Sequence, residues 1–334
     1  MITPYIAAGT LDDLMHEVFE MLRRDGRSVR ASRGPCKEVT GVMLELTNPR
    51  ARLSRTESKG TPFSALGEFC WYLSGRGEYD FIKYYLKEAY DPQKDVEADG
   101  SISGAYGPRL IGPRDGDQLE VVVDLLGRKP TTRQAVLQLF DASDLQSGQR
   151  DVPCTCTIQF LNRDDRLEVV TYMRSNDAYL GLPHDVFCFT LLQEWVARRL
   201  GVDVGRYKHT VGSLHVYDQH EDKGQIQRYL DEGFQSTLSP MPAMPAEDPS
   251  AALARLLDAE SALRQDPVDY QRALAQEASL DGYWADLVRL LRAYRYWNDG
   301  DAAAIFRLRD AMASPTYFTF LDRKARNAAA ESAR

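Results

Sequence analysis

Three short segments between residues 152 and 220 decide how this chain folds and where its chemistry lies. They read VPCTCTIQF from residue 152, YMRSNDAYLGLPHD from residue 172 and GSLHVYDQH from residue 212. They hold one thiol directly after a proline, an Arg-Ser pair, two carboxylates and a His-x-Tyr pair: Cys154, Arg174, Ser175, Asp177, Asp185, His215 and Tyr217. A nucleophile, an anion-binding arginine and several hydrogen-bonding groups so close in sequence predict an active site.

The composition of the whole chain limits the class of protein. With 334 residues, 43% hydrophobic and 27% charged, the chain can bury a large core and is typical of a soluble globular protein. A net charge of −8 argues against binding of nucleic acid through a basic surface. The sequence has no apolar run long enough to span a bilayer and no signal-peptide pattern. We therefore expect neither a nucleic-acid nor a membrane partner.

The cysteines indicate reduced thiols rather than disulfides or a metal site. There are five, an odd number, and they are scattered: Cys36, Cys70, Cys154, Cys156 and Cys188. The spacing of Cys154 and Cys156 is too tight for the usual zinc knuckle. We expect a cytoplasmic protein without a metal ion, with one reactive thiol and four buried ones.

The order and spacing of these segments resemble the thymidylate synthase family. Upstream, GEFCWYLSG (67–75) resembles the family's helix with a catalytic glutamate, and GAYGPRL (104–110) resembles its tyrosine before a glycine. The resemblance implies an α+β fold, a mixed sheet flanked by helices, over residues 1–240. Residues 241–334 resemble nothing at the family's usual end. They begin with a proline-rich linker and then have helical periodicity, so we expect a helical extension packed on the core.

Periodicity and capping residues predict the individual elements. Helices are predicted over residues 10–22 with Thr10 as N-cap, over 63–72 and 119–126, and, as an amphipathic helix ending at Gly201, over 186–200. Strands are predicted over residues 39–53, 135–140 and 212–217. Residues 27–37 are predicted to be a polar loop, and the helices of the tail should break near 266–267 and 298–300.

The resemblance assigns catalytic roles to three residues. It implies that Cys154 adds to C6 of a pyrimidine nucleotide, that Glu68 relays protons through water, and that Tyr106 lies near the thiol. Nearby arginine charge should favour the thiolate by lowering the pKa of the thiol. Cys156 is the rival nucleophile, and a small buried residue without chemistry is the alternative for Cys154. Glu68 by itself has the alternative of lying on the wet side of its helix.

For the nucleotide phosphate the resemblance implies a loop arginine, an Arg-Ser pair and an arginine from the partner subunit of a homodimer: Arg33, Arg174, Ser175 and Arg133. Arg30 is the alternative to Arg33. Gln134 replaces a second arginine that the family has beside Arg133. Three arginines suffice for a dianion, because each pairs with phosphate through charge-assisted hydrogen bonds.

The remaining implied contacts concern the sugar and the folate. His215 and Tyr217, two residues apart on a strand and so on one face, would hold the sugar hydroxyl. A core histidine is the alternative for His215. Asp177 would hold the pterin ring of 5,10-methylenetetrahydrofolate, with Gly181 close to the ligand. Tyr90 stands where the family has a tryptophan against the reacting carbon.

Three other histidines, His184, His209 and His220, match no motif and receive no role. Asn176, beside the Arg-Ser pair, is a possible contact for a 2′-hydroxyl.

Asp185 is the most informative departure from the family, whose uracil users carry asparagine there. An amide can donate to uracil O4 and accept from N3–H. Cytosine reverses this pattern, and a carboxylate that shares one proton with N3 matches it. Burial would raise the pKa of Asp185 enough for this sharing. The alternative for Asp185 is the N-cap of a helix that starts at Val186.

These features resemble the cytidylate hydroxymethylases, which add water to the exocyclic methylene instead of reducing it. Tyr90 and the altered tail are consistent with an intermediate that water can reach. We expect a homodimeric 5-hydroxymethylase of cytidine 5′-monophosphate. The Arg- and Ala-rich composition favours CMP over dCMP and resembles the enzymes of nucleoside-antibiotic biosynthesis. The alternatives are a dCMP hydroxymethylase, a C5-methylase of a pyrimidine nucleotide and a non-catalytic nucleotide-binding module.

Overall fold

The structure, a computed structural model, describes residues 4–54, 62–87, 89–112, 116–146, 148–234, 240–265 and 269–332. Its strands are β1 (Tyr5–Ala8), β2 (Arg27–Ala31), β3 (Gly34–Leu46), β4 (Ile111–Gly112), β5 (Gly116–Asp117), β6 (Val136–Gln138), β7 (Thr155–Arg163), β8 (Arg166–Asp177) and β9 (Asp203–Tyr217). The helices before residue 240 are α1 (Leu11–Asp25), α2 (Pro62–Leu73), α3 (Tyr79–Tyr85), α4 (Tyr106–Leu110), α5 (Gln118–Arg128), α6 (Leu182–Leu200), α7 (Asp218–Asp222) and α8 (Gln225–Asp231). Those of the tail are α9 (Ser250–Gln265), α10 (Tyr270–Ala278), α11 (Gly282–Asn298), α12 (Ala302–Ala311) and α13 (Phe318–Ser332).

A mixed sheet forms the centre of the fold, with its strands in the order β1-β3-β9-β8-β7-β6 and with β2 paired to β3. β1 is parallel to β3 and β8 is parallel to β9, and the other pairs of this sheet are antiparallel. Helices α1 and α6 pack on the sheet, and α2 packs on α6. This arrangement confirms the predicted α+β fold with a mixed sheet and flanking helices.

Helix α6 is the central helix of the core. Its residues are buried on all sides from Leu182 to Ala197, so the predicted amphipathic pattern is wrong for this helix. It begins at Leu182, four residues before the predicted start, with Pro183 in its first turn, where a missing N–H costs nothing. Its end is as predicted, because Gly201 adopts a φ of 66° and caps the helix.

The amino-terminal elements agree in part with the predictions. Thr10 caps α1 through a hydrogen bond from the N–H of Asp13 (3.1 Å), as predicted. The segment predicted as a loop at residues 27–37 is instead a hairpin of β2 and β3 with its turn at Ser32 and Arg33. The polar composition suggested a loop, but these residues are polar because a hairpin at the edge of the sheet exposes one side to water. β3 ends at Leu46, well before residue 53.

The tail is helical, as predicted, and contacts the rest of the chain at several places. α9 and α11 pack on α2, and the Tyr85 hydroxyl donates to Glu260, a buried carboxylate of α9 (2.9 Å). Of the two predicted breaks, residues 266–267 lie outside the described residues. The other follows the end of α11 at Asn298.

The proline-rich segment before α9 is packed against the core. Met241 and Met244 are buried. The N–H of Met241 donates to the carbonyl of Arg50 (2.8 Å), and that of Met244 donates to Glu194 (3.0 Å), which also forms a buried ion pair with Arg52. The predicted proline-rich linker is therefore itself packed on the core. The division at about residue 240 remains a proposal.

Candidate active site

The candidate site lies where the carboxyl ends of β8 and β9 meet the start of β7. The two parallel strands end side by side, with Asp177 opposite His215. Cys154 directly precedes β7, which is antiparallel to β8. β3 is antiparallel to β9, so the β2–β3 turn with Arg33 lies at the same edge as Tyr217. The sheet thereby brings together residues that are more than a hundred positions apart in sequence.

Cys154 is held at the beginning of β7 by the Arg174 guanidinium. Its Nε donates to the carbonyl of Pro153 (3.1 Å) and its Nη2 to that of Val152 (2.8 Å). Burial raises the pKa of the Cys154 thiol to about 11, although the charges of Arg174 and Arg33 lower it. Arginine charge thus acts in the expected direction, but desolvation outweighs it in the ligand-free protein, where the thiol is the favoured form.

Cys156, the alternative nucleophile, lies within β7, whereas Cys154 directly precedes that strand. The pairing of β7 with β8 shifts between Thr155 and Thr157, which disrupts the two-residue alternation that would turn both thiols the same way. Cys156 is partly exposed and not buried as expected, while Cys36, Cys70 and Cys188 are buried, and all five thiols are free.

Tyr106 lies beside the thiol, where the resemblance placed it. Its hydroxyl oxygen accepts hydrogen bonds from the backbone N–H (3.0 Å) and the side-chain hydroxyl (2.9 Å) of Thr155, the residue after Cys154. The Tyr106 ring packs on that of Tyr72 at 4.9 Å. Since the Tyr72 hydroxyl donates to Oε1 of Glu68 (2.7 Å), an aromatic pair joins the start of β7 to the carboxylate.

Glu68 is directed into the protein and not to water, since it is only 9% exposed. Its Oε2 lies 3.1 Å from Nδ1 of His184, although no hydrogen bond from the described residues is aligned on that oxygen. Nε2 of His184 lies 3.2 Å from the Ser64 hydroxyl. The alternative of a solvent-facing Glu68 is therefore wrong.

Asp185 lies within the first turn of α6, so the alternative that it caps this helix is wrong. The N-cap is Gly181, and Oδ2 of Asp185 accepts a hydrogen bond from the side-chain amide of Asn176 (2.8 Å). Burial raises the pKa of Asp185 well above its usual value, and the charge of Glu68 raises it further, while the Asn176 hydrogen bond lowers it. The carboxyl is thus disposed to hold a proton.

Two of the phosphate candidates, Arg174 and Arg33, are already engaged in hydrogen bonds within the protein. Arg33 pairs with Asp95 (3.0 Å) and its charge lowers the pKa of Cys154 and of Asp151, so it lies close to the site. Arg30 is an exposed residue of β2. These placements favour Arg33 as the loop arginine. Ser175, next to Arg174, is partly buried near the end of β8.

His215 and Tyr217 share one face of β9, as predicted. Their rings meet edge to face with centroids 5.1 Å apart. Nδ1 of His215 lies 3.4 Å from the carbonyl of Ser213, which leaves Nε2 on the opposite side of the ring for another partner.

A family model described as "Thymidylate synthase" matches residues 13–245, a range that contains every candidate site residue. The chain belongs to the thymidylate synthase family. A curated relative, "Deoxyuridylate hydroxymethyltransferase" of Bacillus phage SP01, is 31% identical over an alignment of 222 residues that covers 61% of this chain and 56% of the relative. The chain thus matches little more than half the length of that relative.

Arg133 is a predicted phosphate-binding residue that lies away from the site within a single chain. It is exposed, and its carbonyl accepts a hydrogen bond from Gln159 (2.8 Å). Gln159 lies five residues beyond Cys154, about 16 Å along β7. A contribution of Arg133 to the phosphate therefore requires a second subunit, which is the arrangement that the thymidylate synthase resemblance implied.

Two of the folate candidates, Asp177 and Gly181, lie at the turn between β8 and α6. Oδ1 of Asp177 accepts from the N–H groups of Tyr179 (2.7 Å) and Leu180 (3.0 Å), which fixes the carboxylate at the mouth of this turn. Gly181 completes it. Tyr90 packs edge to face on Trp71, with ring centroids 6.2 Å apart, and burial raises its pKa.

Sequence reasoning missed three groups that the structure brings to the site. Asp151, three residues before Cys154, is mostly buried, and burial raises its pKa to about 6. His184 contacts Glu68, and His209 bonds to Asn176 (2.9 Å). The sequence offered little signal for His184 and His209, because Asp185 follows the first and Lys208 precedes the second, so neither is an isolated ionisable residue in an apolar stretch. Asn176 itself is buried, with one hydrogen bond at each end of its amide.

Two negative findings apply to the described part of the chain. No cluster of three or more His, Cys, Asp or Glu side chains in it is arranged to hold a metal ion. None of its helices has both the length and the apolar character needed to cross a membrane.

Proposed function

We propose that this chain catalyses the folate-dependent 5-hydroxymethylation of a cytidine monophosphate, as a homodimer in the cytoplasm. The observation that carries the proposal is the buried Asp185, whose raised pKa and position at the carboxyl ends of β8 and β9 suit a base with an acceptor at N3 and a donor at N4. CMP is our first substrate, from the composition of the chain, and dCMP is the alternative. The phage relative, named for deoxyuridylate, supports hydroxymethylation in general.

The site residues have distinct roles in this reaction. Cys154 adds to C6 and the electron pair moves to C5, which becomes nucleophilic. The co-substrate 5,10-methylenetetrahydrofolate supplies a one-carbon unit at the oxidation level of formaldehyde. After C5 has bonded to this carbon and lost its proton to a base, the bond from this carbon to the folate nitrogen breaks and tetrahydrofolate leaves. Water then adds to the resulting exocyclic methylene, and the Cys154 sulfur leaves C6. Glu68, bonded to Tyr72 and beside His184, would relay these protons.

The folate candidates fit a planar, polar ligand. Asp177 is held in place by two backbone N–H groups and is therefore preorganised to accept from a pterin. Tyr90 presents a hydroxyl where the family has an indole, and its burial among Asp151, Glu68 and Cys154 supports a place beside the reacting carbon. A phenol can hold the incoming water by a hydrogen bond, which favours hydration over reduction.

The decisive experiment is product analysis with the four substrates CMP, dCMP, UMP and dUMP in the presence of methylenetetrahydrofolate. We expect a cytidylate to gain the mass of CH₂O, with tetrahydrofolate as the folate product. A gain of CH₂ with formation of dihydrofolate would show a C5-methylase instead. Failure to release tritium from [5-³H]-labelled CMP and dCMP, with nucleotide binding retained, would show a non-catalytic binding module.

A further inference from the structure

A buried chain of polar side chains lies directly behind Asp185. The Tyr207 hydroxyl lies 2.7 Å from Nδ1 of His209, and Nε2 of His209 lies 2.9 Å from Oδ1 of Asn176. Nδ2 of Asn176 donates to Oδ2 of Asp185 (2.8 Å). Tyr207 and His209 are fully buried and Asn176 is 4% exposed. Three elements, β9, β8 and α6, are therefore linked through side chains that do not themselves face solvent.

The direction of these hydrogen bonds is fixed by the chemistry of their members. Nδ2 of Asn176 donates to Oδ2 of Asp185, so the carbonyl oxygen of Asn176 faces His209, and a proton on Asp185 belongs on Oδ1. Nε2 of His209 must then donate. Burial lowers the pKa of His209 to about 3, so the ring is neutral and its Nδ1 accepts from the Tyr207 hydroxyl. Each of the three bonds thus has one donor and one acceptor.

The backbone makes room for this pairing. A Cβ on Gly181 would lie 2.9 Å from Nδ2 of Asn176 and 3.4 Å from Oδ2 of Asp185. A side chain at residue 181 would therefore press on the bond between Asn176 and Asp185. The turn before α6 lets these two side chains meet because its N-cap residue is a glycine.

We propose that Asn176, held by His209, is a positioning residue that sets the base specificity of Asp185. This inference rests on the proposed function, in which Asp185 reads the base. Cytosine and uracil differ at positions 3 and 4 by an exchange of donor and acceptor. A carboxyl group that turns freely about Cβ–Cγ can offer its proton from either oxygen and so match either base. The Asn176 hydrogen bond keeps Oδ2 in one place as an acceptor, so Asp185 presents one pattern only.

The test compares base discrimination in the full-length protein, measured as kcat/KM for dCMP divided by kcat/KM for dUMP, and likewise for CMP and UMP. Asn176→Ala removes the donor, and Asn176→Asp keeps the shape but replaces the donor with an acceptor. Gln193→Ala is the matched control, because Gln193 is a buried amide of α6 that donates to the carbonyl of Leu167 (2.7 Å) outside this chain of bonds.

In both Asn176 variants we expect the ratio to fall at least about tenfold, because a single well-aligned hydrogen bond contributes on this scale. The control should lose stability while the ratio stays unchanged. A purely structural role of Asn176 would lower both rates together, and an unchanged ratio in an active variant would overturn the inference. If Asn176→Ala does not fold, the kcat/KM ratio of the isosteric variant Asn176→Asp tests the inference instead. A wild-type protein that does not act on either cytidylate would refute the proposed function instead.

Discussion

Replacement of Asp185 by asparagine should move the preference of the protein from cytosine toward uracil nucleotides. The side chain is only 7% exposed, and its Oδ2 accepts from Asn176 at 2.8 Å. Asparagine has the shape of aspartate, so the variant should fold with its site intact. The change removes the titratable proton that the carboxyl shares with N3 of cytosine and supplies an amide whose NH₂ can donate to uracil O4 while its oxygen accepts from N3–H. Such a group cannot share a proton with N3 of cytosine.

The magnitude follows from the burial of the site. A donor that faces a donor at a buried position costs about 1–3 kcal/mol, because one polar group remains unpaired. Cytosine would lose one such interaction and uracil would gain one, which amounts to about 2–6 kcal/mol in the ratio. At 1.4 kcal/mol for each factor of ten, this is about thirtyfold to 10⁴-fold. We expect about 10²-fold, since Tyr90 and the local waters are not arranged for uracil.

The assay is direct competition of dCMP with dUMP, and of CMP with UMP, followed by mass analysis of the products. Asp286→Asn is a suitable control, because Asp286 is an equally buried carboxylate in α11 whose oxygens accept from the N–H groups of Ala313 and Ser314 (2.8 and 2.9 Å). It should leave the base ratio unchanged. If Asp185→Asn keeps the full cytosine preference, Asp185 does not read the base and the main argument for a cytidylate substrate fails.

Three further predictions concern the thiol and the subunits. Cys154→Ser should lower turnover by at least about 10³-fold and keep nucleotide binding by calorimetry, because only the covalent step is lost; full activity would assign the nucleophile to Cys156. Mixed dimers of inactive Arg133→Ala and Cys154→Ser subunits should recover part of the activity, since one site would be complete, and no recovery after demonstrated subunit exchange would argue against a shared site. Burial raises the pKa of Cys154 to about 11, so its alkylation by iodoacetamide in the ligand-free protein should accelerate about tenfold per pH unit from pH 7 to 10 as the thiolate fraction grows. Peptide mass spectrometry distinguishes alkylation of Cys154 from that of Cys156. A rate that reaches a plateau below pH 9 would contradict this pKa.

The sequence predicted those parts of the fold in which local signals agree with the tertiary structure. Thr10 begins α1 and Gly201 ends α6 as their cap chemistry predicts. The errors occur where tertiary packing decides. Residues 27–37 are polar because their hairpin lies at the side of the sheet, and the start of α6 is hidden because Leu182 and Pro183 are buried against other elements.

The site was predictable residue by residue but not as a network. Motif matching gave Cys154, Glu68 and Asp185. It gave no partner for them, since His184 reaches Glu68 from α6 and His209 reaches Asn176 from a neighbouring strand. Such pairs follow from strand register and helix packing, which a single sequence does not specify. A buried polar residue in an apolar stretch indicates only that some partner exists.

The least predictable property was the protonation of the site, because it is the difference between two large opposing effects. Arginine charge favours the Cys154 thiolate and burial opposes it, and burial prevails. Ionising a thiol of pKa about 11 at pH 7 costs roughly 5 kcal/mol. Burial likewise favours the protonated form of Asp185. Both groups therefore favour their protonated forms in the ligand-free protein. The thiol proton must pass to a base as sulfur adds to C6, and the negative charge that reaches the pyrimidine ring can be balanced as the Asp185 proton moves toward N3. In the proposed reaction, nucleophilic attack on C6 and recognition of the nucleobase are for this reason one coupled event. A nucleotide whose nucleobase cannot accept the proton at N3 should be a poor substrate even when it binds.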